Sequence, residues 1–220
     1  MGLEDYKELV ATCASISTMG QMLSGTLICK DICKKGSSKG FDPMPFLGGI
    51  GMCILMLQYA FIVKDPAMIN VNVFGLLTNT AYMAVYYYYS PHTKDTLTLM
   101  GKVAAAVSVF LVYAQVEIPE KLEYRFGLIV TALFFLLIGS PLIHLGEIIR
   151  TKNTDILPFP LILTGTLVSF QWLLYGVIIN NLFIIFQNVV GFLLSVAQLS
   201  LFVIFPSKSK GKTGDEGKTD

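Results

Sequence analysis

Long apolar runs alternate with short polar or charged breaks along almost the whole chain. Seven of the runs are long enough to cross a bilayer as a helix, which takes about 20 residues. They cover 8–29, 43–63, 67–90, 96–116, 126–147, 157–179 and 182–205. The fourth run is the weakest because Lys102 interrupts it, although a lysine near a helix start can reach the membrane interface. The pattern predicts an all-α integral membrane protein with seven transmembrane helices.

Composition supports this prediction over a soluble domain. Hydrophobic residues make up 54% of the chain and charged residues 14%, whereas soluble domains carry about 25% charged residues. Between Ile156 and Ser207 there is no acidic or basic side chain at all. The formal net charge of +1 gives no reason to expect a nucleic-acid partner.

The charges are distributed unequally between the two sides of the membrane. Lysine and arginine follow the first, third and fifth spans and fill the segment after the seventh. The intervening connections hold the Lys64-Asp65 pair, the acidic residues Glu117, Glu120 and Glu123, or no charge. Because basic residues favour the cytoplasmic side, we expect the N-terminus outside and the C-terminus in the cytoplasm. Residues 207–220 are predicted to be a disordered cytoplasmic tail. We expect residence in the plasma membrane, with the Golgi or another endomembrane as the alternative.

The first three spans and the last three repeat each other at an offset of 116 residues. Tyr59-Ala60 corresponds to Tyr175-Gly176, and Asn72-Val73-Phe74-Gly75 corresponds to Asn188-Val189-Val190-Gly191. The duplication predicts two three-helix units, at 8–92 and 121–206, joined by a linker helix within 93–120. A single linker helix gives both units the same orientation in the membrane, which makes a 3+1+3 arrangement of parallel bundles.

The second unit carries the clearest set of motifs. It contains Ser140-Pro141, Pro158-Phe159-Pro160, Trp172-Leu173-Leu174-Tyr175-Gly176 and Gln187-Asn188-Val189-Val190-Gly191. In order, spacing and duplication, the chain from Leu9 to Pro206 resembles the SWEET (MtN3/saliva) family, its animal branch above all, with an insect member as one candidate. SWEET transporters contain such parallel repeats. The resemblance implies a bidirectional, facilitative sugar transporter for hexoses, with disaccharides as a second substrate class.

Two asparagines are the first candidates for contact with a sugar, which needs neutral donors and acceptors and a flat apolar face. Asn72 and Asn188 lie inside the third and seventh spans, and the resemblance places both in the substrate pocket. The alternative is that each carboxamide caps local backbone or joins helices. Sixteen residues earlier in each copy lie Met56 and Trp172. We expect the Trp172 ring to stack on the sugar and Met56 to form the opposite wall.

The resemblance also implies residues that move or close the pathway. Pro45, Pro141 and Pro160 would act as hinges at the inner gate, and Gly25 stands at the fourth hinge position. Pro43 and Pro158 are interpreted as helix-start residues. Tyr59 and Asn181 would form the outer gate, and Asp65 occupies the position of Asn181 in the first copy.

Other functions remain as alternatives to a sugar uniporter. An amino-acid or cystine carrier of the Pro-Gln-loop type shares the three-helix unit, but its Pro-Gln pair is missing at the hinges. A seven-helix receptor fits the topology but not the duplication, and a membrane scaffold is a third class. His92 and His144 have no evident partners, so no enzyme, metal or cofactor is expected. Expected partners are the sugar and the bilayer, and homo-oligomerisation is left open.

Overall fold

A computed structural model describes residues 2–151 and 159–205, with the backbone alone described at 138–149 and Thr151. Within these residues a 3₁₀ turn at Leu3–Tyr6 is followed by α-helices, and no other regular structure occurs. The helices are α1 Lys7–Met22, α2 Gly25–Lys35, α3 Met44–Val63, α4 Pro66–Tyr88, α5 Thr93–Val116, α6 Pro119–Thr151, α7 Phe159–Ile178 and α8 Leu182–Ile204. The all-α prediction is confirmed. Pro158 and the predicted tail at 207–220 lie outside the described residues.

The first predicted span is a broken helix. The sequence pattern predicts one uninterrupted run over 8–29, whereas the structure has α1 and α2 separated at Leu23 and Ser24. Apolar residues continue across this break, so periodicity gave no sign of it. Among the described helices, α3, α5, α7 and α8 are each long and apolar enough to cross a membrane. With α1–α2, α4 and α6, they account for the seven predicted spans.

The helices form two units of three. In the first unit α4 packs against both α1 and α3, and in the second α8 packs against both α6 and α7. The units meet where α1 packs on α7 and α3 packs on α6. The linker α5 packs along α3. The two helices approach closely at Gly51 of α3, where an added Cβ would lie only 3.3 Å from Cγ2 of Val107 of α5. The 3+1+3 arrangement is therefore confirmed, and the linker also extends the core of the first unit.

The duplication is visible in the backbone where the third helix of each unit begins. Lys64 and Asn180 both adopt the left-handed conformation, with φ values of 56° and 53°. Each is followed by an N-cap residue that binds the first amides of the next helix. Asp65 accepts a hydrogen bond from the Met68 amide at 2.8 Å, and Asn181 accepts one from the Ile184 amide at 3.1 Å. The same turn is thus built twice, with a carboxylate in one copy and a carboxamide in the other.

The connection between α5 and α6 contains an ion pair. Glu117 accepts hydrogen bonds from the Tyr113 hydroxyl, from the Arg125 guanidinium at 2.7 Å and from the Ile118 amide at 2.9 Å. These donors lower the pKa of the Glu117 carboxyl to about 2, so it is ionised at neutral pH. The contact holds the linker to the start of the second unit.

Candidate functional site

A cavity of about 320 Å³ lies between the two units. Helices α1, α3 and α4 supply one wall, and α6, α7 and α8 supply the other. Its polar lining residues are neutral: Thr18, Asn72, Asn79, Trp172, Gln187 and Asn188. Among the described side chains, no acidic or basic group lines it. The volume lies at the small end of the range of ligand pockets, about 300–1,000 Å³.

The two predicted asparagines both face this cavity and hold the same conformation. Asn72 Nδ2 donates to the Met68 carbonyl and Asn188 Nδ2 donates to the Ile184 carbonyl, each at 2.8 Å and four residues back along its helix. In the described part of the chain neither carboxamide oxygen accepts a hydrogen bond. Each side chain therefore caps local backbone with its amino group and leaves an acceptor for a ligand. Binding and capping, taken as alternatives from the sequence, are compatible.

Trp172 is fixed in place by a residue of the other unit. Its indole Nε1 donates to Thr18 Oγ1 at 2.8 Å, and the Thr18 hydroxyl donates to the Ala14 carbonyl at 2.7 Å. The indole also meets the Tyr175 ring edge to face, with centroids 5.5 Å apart. Met56 and Trp172 both line the cavity, and their contact with a sugar remains a prediction. Thr18 was not recognised from the sequence, because a threonine inside an apolar run is common.

Beyond the cavity, toward the ends of α3 and α7, two tyrosines join the units. Tyr175 Oη donates to Asp65 Oδ2 at 2.6 Å, and Asn181 Nδ2 donates to Tyr59 Oη at 2.9 Å. We refer to these two contacts as the polar latches. The Tyr59–Asn181 contact was predicted, but the Tyr175–Asp65 contact was not. The repeat offset of 116 relates Tyr59 to Tyr175 and Asp65 to Asn181. The Tyr175–Asp65 contact could therefore have been predicted from the Tyr59–Asn181 contact.

Comparison with known proteins identifies the family of this chain. The family model described as "Sugar efflux transporter for intercellular exchange" matches residues 8–94 and 124–210. The chain belongs to this family. The two matched segments fall on the two three-helix units, and the gap between them falls mostly on the linker α5. The prediction of family membership is confirmed.

Family relatives span nearly the whole chain. "Sugar transporter SWEET1" of Drosophila pseudoobscura pseudoobscura is 36% identical and covers 94% of this chain and 93% of its own length. "Bidirectional sugar transporter SWEET9" of Arabidopsis thaliana is 30% identical, covering 89% and 78%. A solved eukaryotic SWEET transporter superposes with a TM-score of 0.83 at 24% identity, covering 92% of this chain and 98% of its own. That likeness supports the family fold.

Most of the cavity lining consists of equivalent positions in the two family repeats. Twelve lining residues form six pairs at the offset of 116: Thr18/Phe134, Met52/Val168, Met56/Trp172, Met68/Ile184, Val71/Gln187 and Asn72/Asn188. The asparagine pair alone is identical. Gln187 Nε2 donates to Thr131 Oγ1 at 2.7 Å and so ties α8 to α6. Gln187 and Asn79 are polar lining residues that the sequence reasoning missed.

The predicted hinge residues lie in different settings. Pro45 lies in the first turn of α3, after Pro43 at its N-cap, and Pro160 lies in the first turn of α7. A proline there loses no helical hydrogen bond. Pro141 lies within α6, and its side chain is outside the described part. Their action as hinges remains a prediction.

Proposed function

We propose that this chain carries a sugar across the membrane by alternating access, through the cavity between its two units. The observation that carries the proposal is the pair of equivalent carboxamide oxygens, on Asn72 and Asn188, facing one neutral cavity beside a fixed indole ring. Such oxygens accept bonds from sugar hydroxyls, and an indole face suits the apolar side of a pyranose ring.

The substrate we propose is a hexose, with disaccharides carried less well. A cavity of about 320 Å³ suits a ligand the size of a monosaccharide. The names of the relatives support a sugar but leave its size to be determined.

The mode of transport we propose is uniport, in which sugar moves down its gradient in either direction. A carrier coupled to protons or sodium usually holds an ionisable side chain near its substrate. The described cavity lining offers carboxamides, hydroxyls and an indole instead. His144 and Glu147 near the inner end of α6 have side chains outside the described part.

In the bilayer we propose that the polar latches lie at the extracellular side and form the outer gate. Four lysines lie within α2 or shortly after it, at the end of the bundle opposite to the latches: Lys30, Lys34, Lys35 and Lys39. Because basic residues favour the cytoplasmic face, the proposal also has the C-terminus on that side. We propose the plasma membrane as the site of residence.

The test is flux into proteoliposomes that contain the purified full chain. Radiolabelled glucose, sucrose and trehalose are compared with radiolabelled leucine, which a carrier of the amino-acid class would accept. We expect glucose to equilibrate fastest, the disaccharides more slowly and leucine not at all. An imposed pH jump should leave the final glucose level unchanged. Concentrative uptake after the jump would contradict uniport, and flux of leucine without glucose would contradict a sugar carrier.

A further inference from the structure

The break in the first span lies beside the cavity. At the break, hydrogen bonds join residues three apart, from the Ser24 amide to the Gln21 carbonyl at 3.1 Å and from the Thr26 amide to the Leu23 carbonyl at 3.0 Å. This tighter pattern interrupts the α-helical ladder between α1 and α2. Met22, the last residue of α1, lines the cavity. A change at the break would therefore move part of the cavity wall.

Tyr82 of α4 holds both sides of this break. Its hydroxyl donates to the Met22 carbonyl at 3.3 Å and lies 3.0 Å from the Thr26 hydroxyl, which can donate to it in turn. The side chain is 9% exposed, and its ring packs on Phe46 with centroids 5.6 Å apart. One buried phenol thus bonds to the last residue of α1 and to the second residue of α2.

Gly25 leaves room for the tyrosine ring. A Cβ added at Gly25 would lie 2.5 Å from Tyr82 Cε2, a separation that real contacts do not reach. Any larger residue at position 25, proline included, would require the ring to move. At the offset of 116, Gly25 corresponds to Pro141 and Tyr82 corresponds to Gln198. The first unit therefore combines glycine with an aromatic ring where the second combines proline with an amide.

We propose that Tyr82 is a positioning residue for transport, which keeps the first span broken at Leu23–Ser24 and replaces the proline that is absent at position 25. Glycine alone permits a bend without enforcing one, whereas proline enforces it through its missing amide. In the first unit the bonds from the phenol to Met22 and Thr26 supply that constraint. The transport part of this inference rests on the proposed function.

The first arm of the test removes the hydroxyl alone. In proteoliposomes, Tyr82→Phe is expected to lower the maximal glucose exchange rate roughly threefold to tenfold, the effect of one hydrogen bond, with KM changed less than about twofold. Tyr88→Phe is the matched control, since Tyr88 ends the same helix and is 81% exposed. A wild-type rate for Tyr82→Phe, or a loss confined to KM, would contradict the proposal.

The second arm transfers the arrangement of the second unit into the first. Gly25→Pro should abolish exchange because its ring meets Tyr82, and the double variant Gly25→Pro/Tyr82→Gln should recover it to within about threefold of wild type. Normal exchange by Gly25→Pro alone would overturn the proposal. So would a double variant that is folded and embedded in the membrane but no more active than Gly25→Pro.

The third arm needs no sugar and separates this inference from the proposed function. Gly25→Ala should lower the thermal unfolding midpoint, and adding Tyr82→Gln should restore most of the loss. Gly20→Ala is the control, because a Cβ there meets nothing within 4 Å. If the wild type carries no sugar, the proposed function fails and this arm alone decides the inference. Equal midpoints for Gly25→Ala and Gly20→Ala would contradict it.

Discussion

The two walls of the cavity are made by equivalent positions but differ in stiffness. The first unit contributes flexible thioether side chains, Met22, Met52, Met56 and Met68. At the positions equivalent to the last three, the second unit has branched or aromatic side chains, Val168, Trp172 and Ile184. Methionine adapts its shape to a neighbour, whereas β-branched and aromatic side chains hold theirs.

With one stiff wall and one adaptable wall, a duplicated fold can combine recognition of a ligand with tolerance of its shape. The identical pair, Asn72 and Asn188, places equivalent acceptors on both walls. We expect the stiff wall to orient the ligand through Trp172 and the soft wall to accommodate its outline. Substitutions at the asparagines should therefore have equal effects in the two units, and substitutions elsewhere in the lining should have unequal ones.

The largest expected effect is at the asparagines. Asn72→Ala and Asn188→Ala should each reduce glucose flux to less than about a tenth of wild type. Each variant removes a carboxamide oxygen that would accept a hydrogen bond from a sugar hydroxyl inside the cavity. The measurement is counterflow of radiolabelled glucose in proteoliposomes. Asn70→Ala is the matched control, an exposed asparagine on the same helix as Asn72. Strong loss of flux in one of these two variants with normal flux in the other would contradict equal roles for the two asparagines.

The next effect separates the stiff wall from the soft one. Trp172→Ala should raise KM about tenfold, since a large flat contact surface is lost. Thr18→Val removes the acceptor of the indole N–H and should raise KM about threefold, by leaving the ring free to turn. Thr12→Val is the control, because Thr12 makes the same backbone contact from an exposed position on α1. A Thr18→Val variant with unchanged KM would mean that the ring needs no such support.

The polar latches should differ in strength. Tyr175 bonds to the Asp65 carboxylate at 2.6 Å, whereas Tyr59 bonds to the Asn181 carboxamide at 2.9 Å. Charge-assisted bonds are about twice as strong as neutral ones. Tyr175→Phe should therefore lower the thermal unfolding midpoint by about 2–4 °C, and Tyr59→Phe by about half as much. Tyr87→Phe, at an exposed tyrosine, is the control. An equal loss from both latches would contradict this ranking.

The smallest effect concerns the range of substrates. The double variant Met52→Val/Met68→Ile gives the first wall the side chains of the second and should make it stiffer. We expect glucose flux to stay within about twofold of wild type, while the rates for sucrose and trehalose fall further relative to glucose. A panel of radiolabelled sugars measures these ratios. Unchanged ratios would indicate that the methionines act only as packing residues.

The sequence predicted the helices and their duplication because apolar runs and repeated motifs are local signals. The resemblance implied a hinge at Gly25, but the apolar run itself gave no sign of the break between α1 and α2. The contact of Tyr82 with Thr26 beside that break joins residues 56 apart in the chain, so no local pattern shows it. The linker's packing on α3 was missed for a similar reason, since contacts between helices leave no periodic signal.

In the site, Asn72 and Asn188 could be selected because they recur at one offset, and Met56 and Trp172 because they lie sixteen residues before them and resemble a known pattern. Thr18 could not, because its equivalent is Phe134 and the pair shows no similarity. Tyr175 could have been selected, since it matches Tyr59 at the same offset.

Cys53 allows the most direct test that the cavity holds the sugar. This thiol lines the cavity, whereas Cys13 is exposed on α1 and serves as an internal reference. In a chain with Cys29 and Cys33 replaced by serine, the rate of Cys53 modification by a small methanethiosulfonate reagent is measured with and without saturating glucose. We expect at least about threefold slower modification of Cys53 with glucose and an unchanged rate at Cys13. Equal rates at Cys53, with a sugar that the same preparation transports, would contradict it.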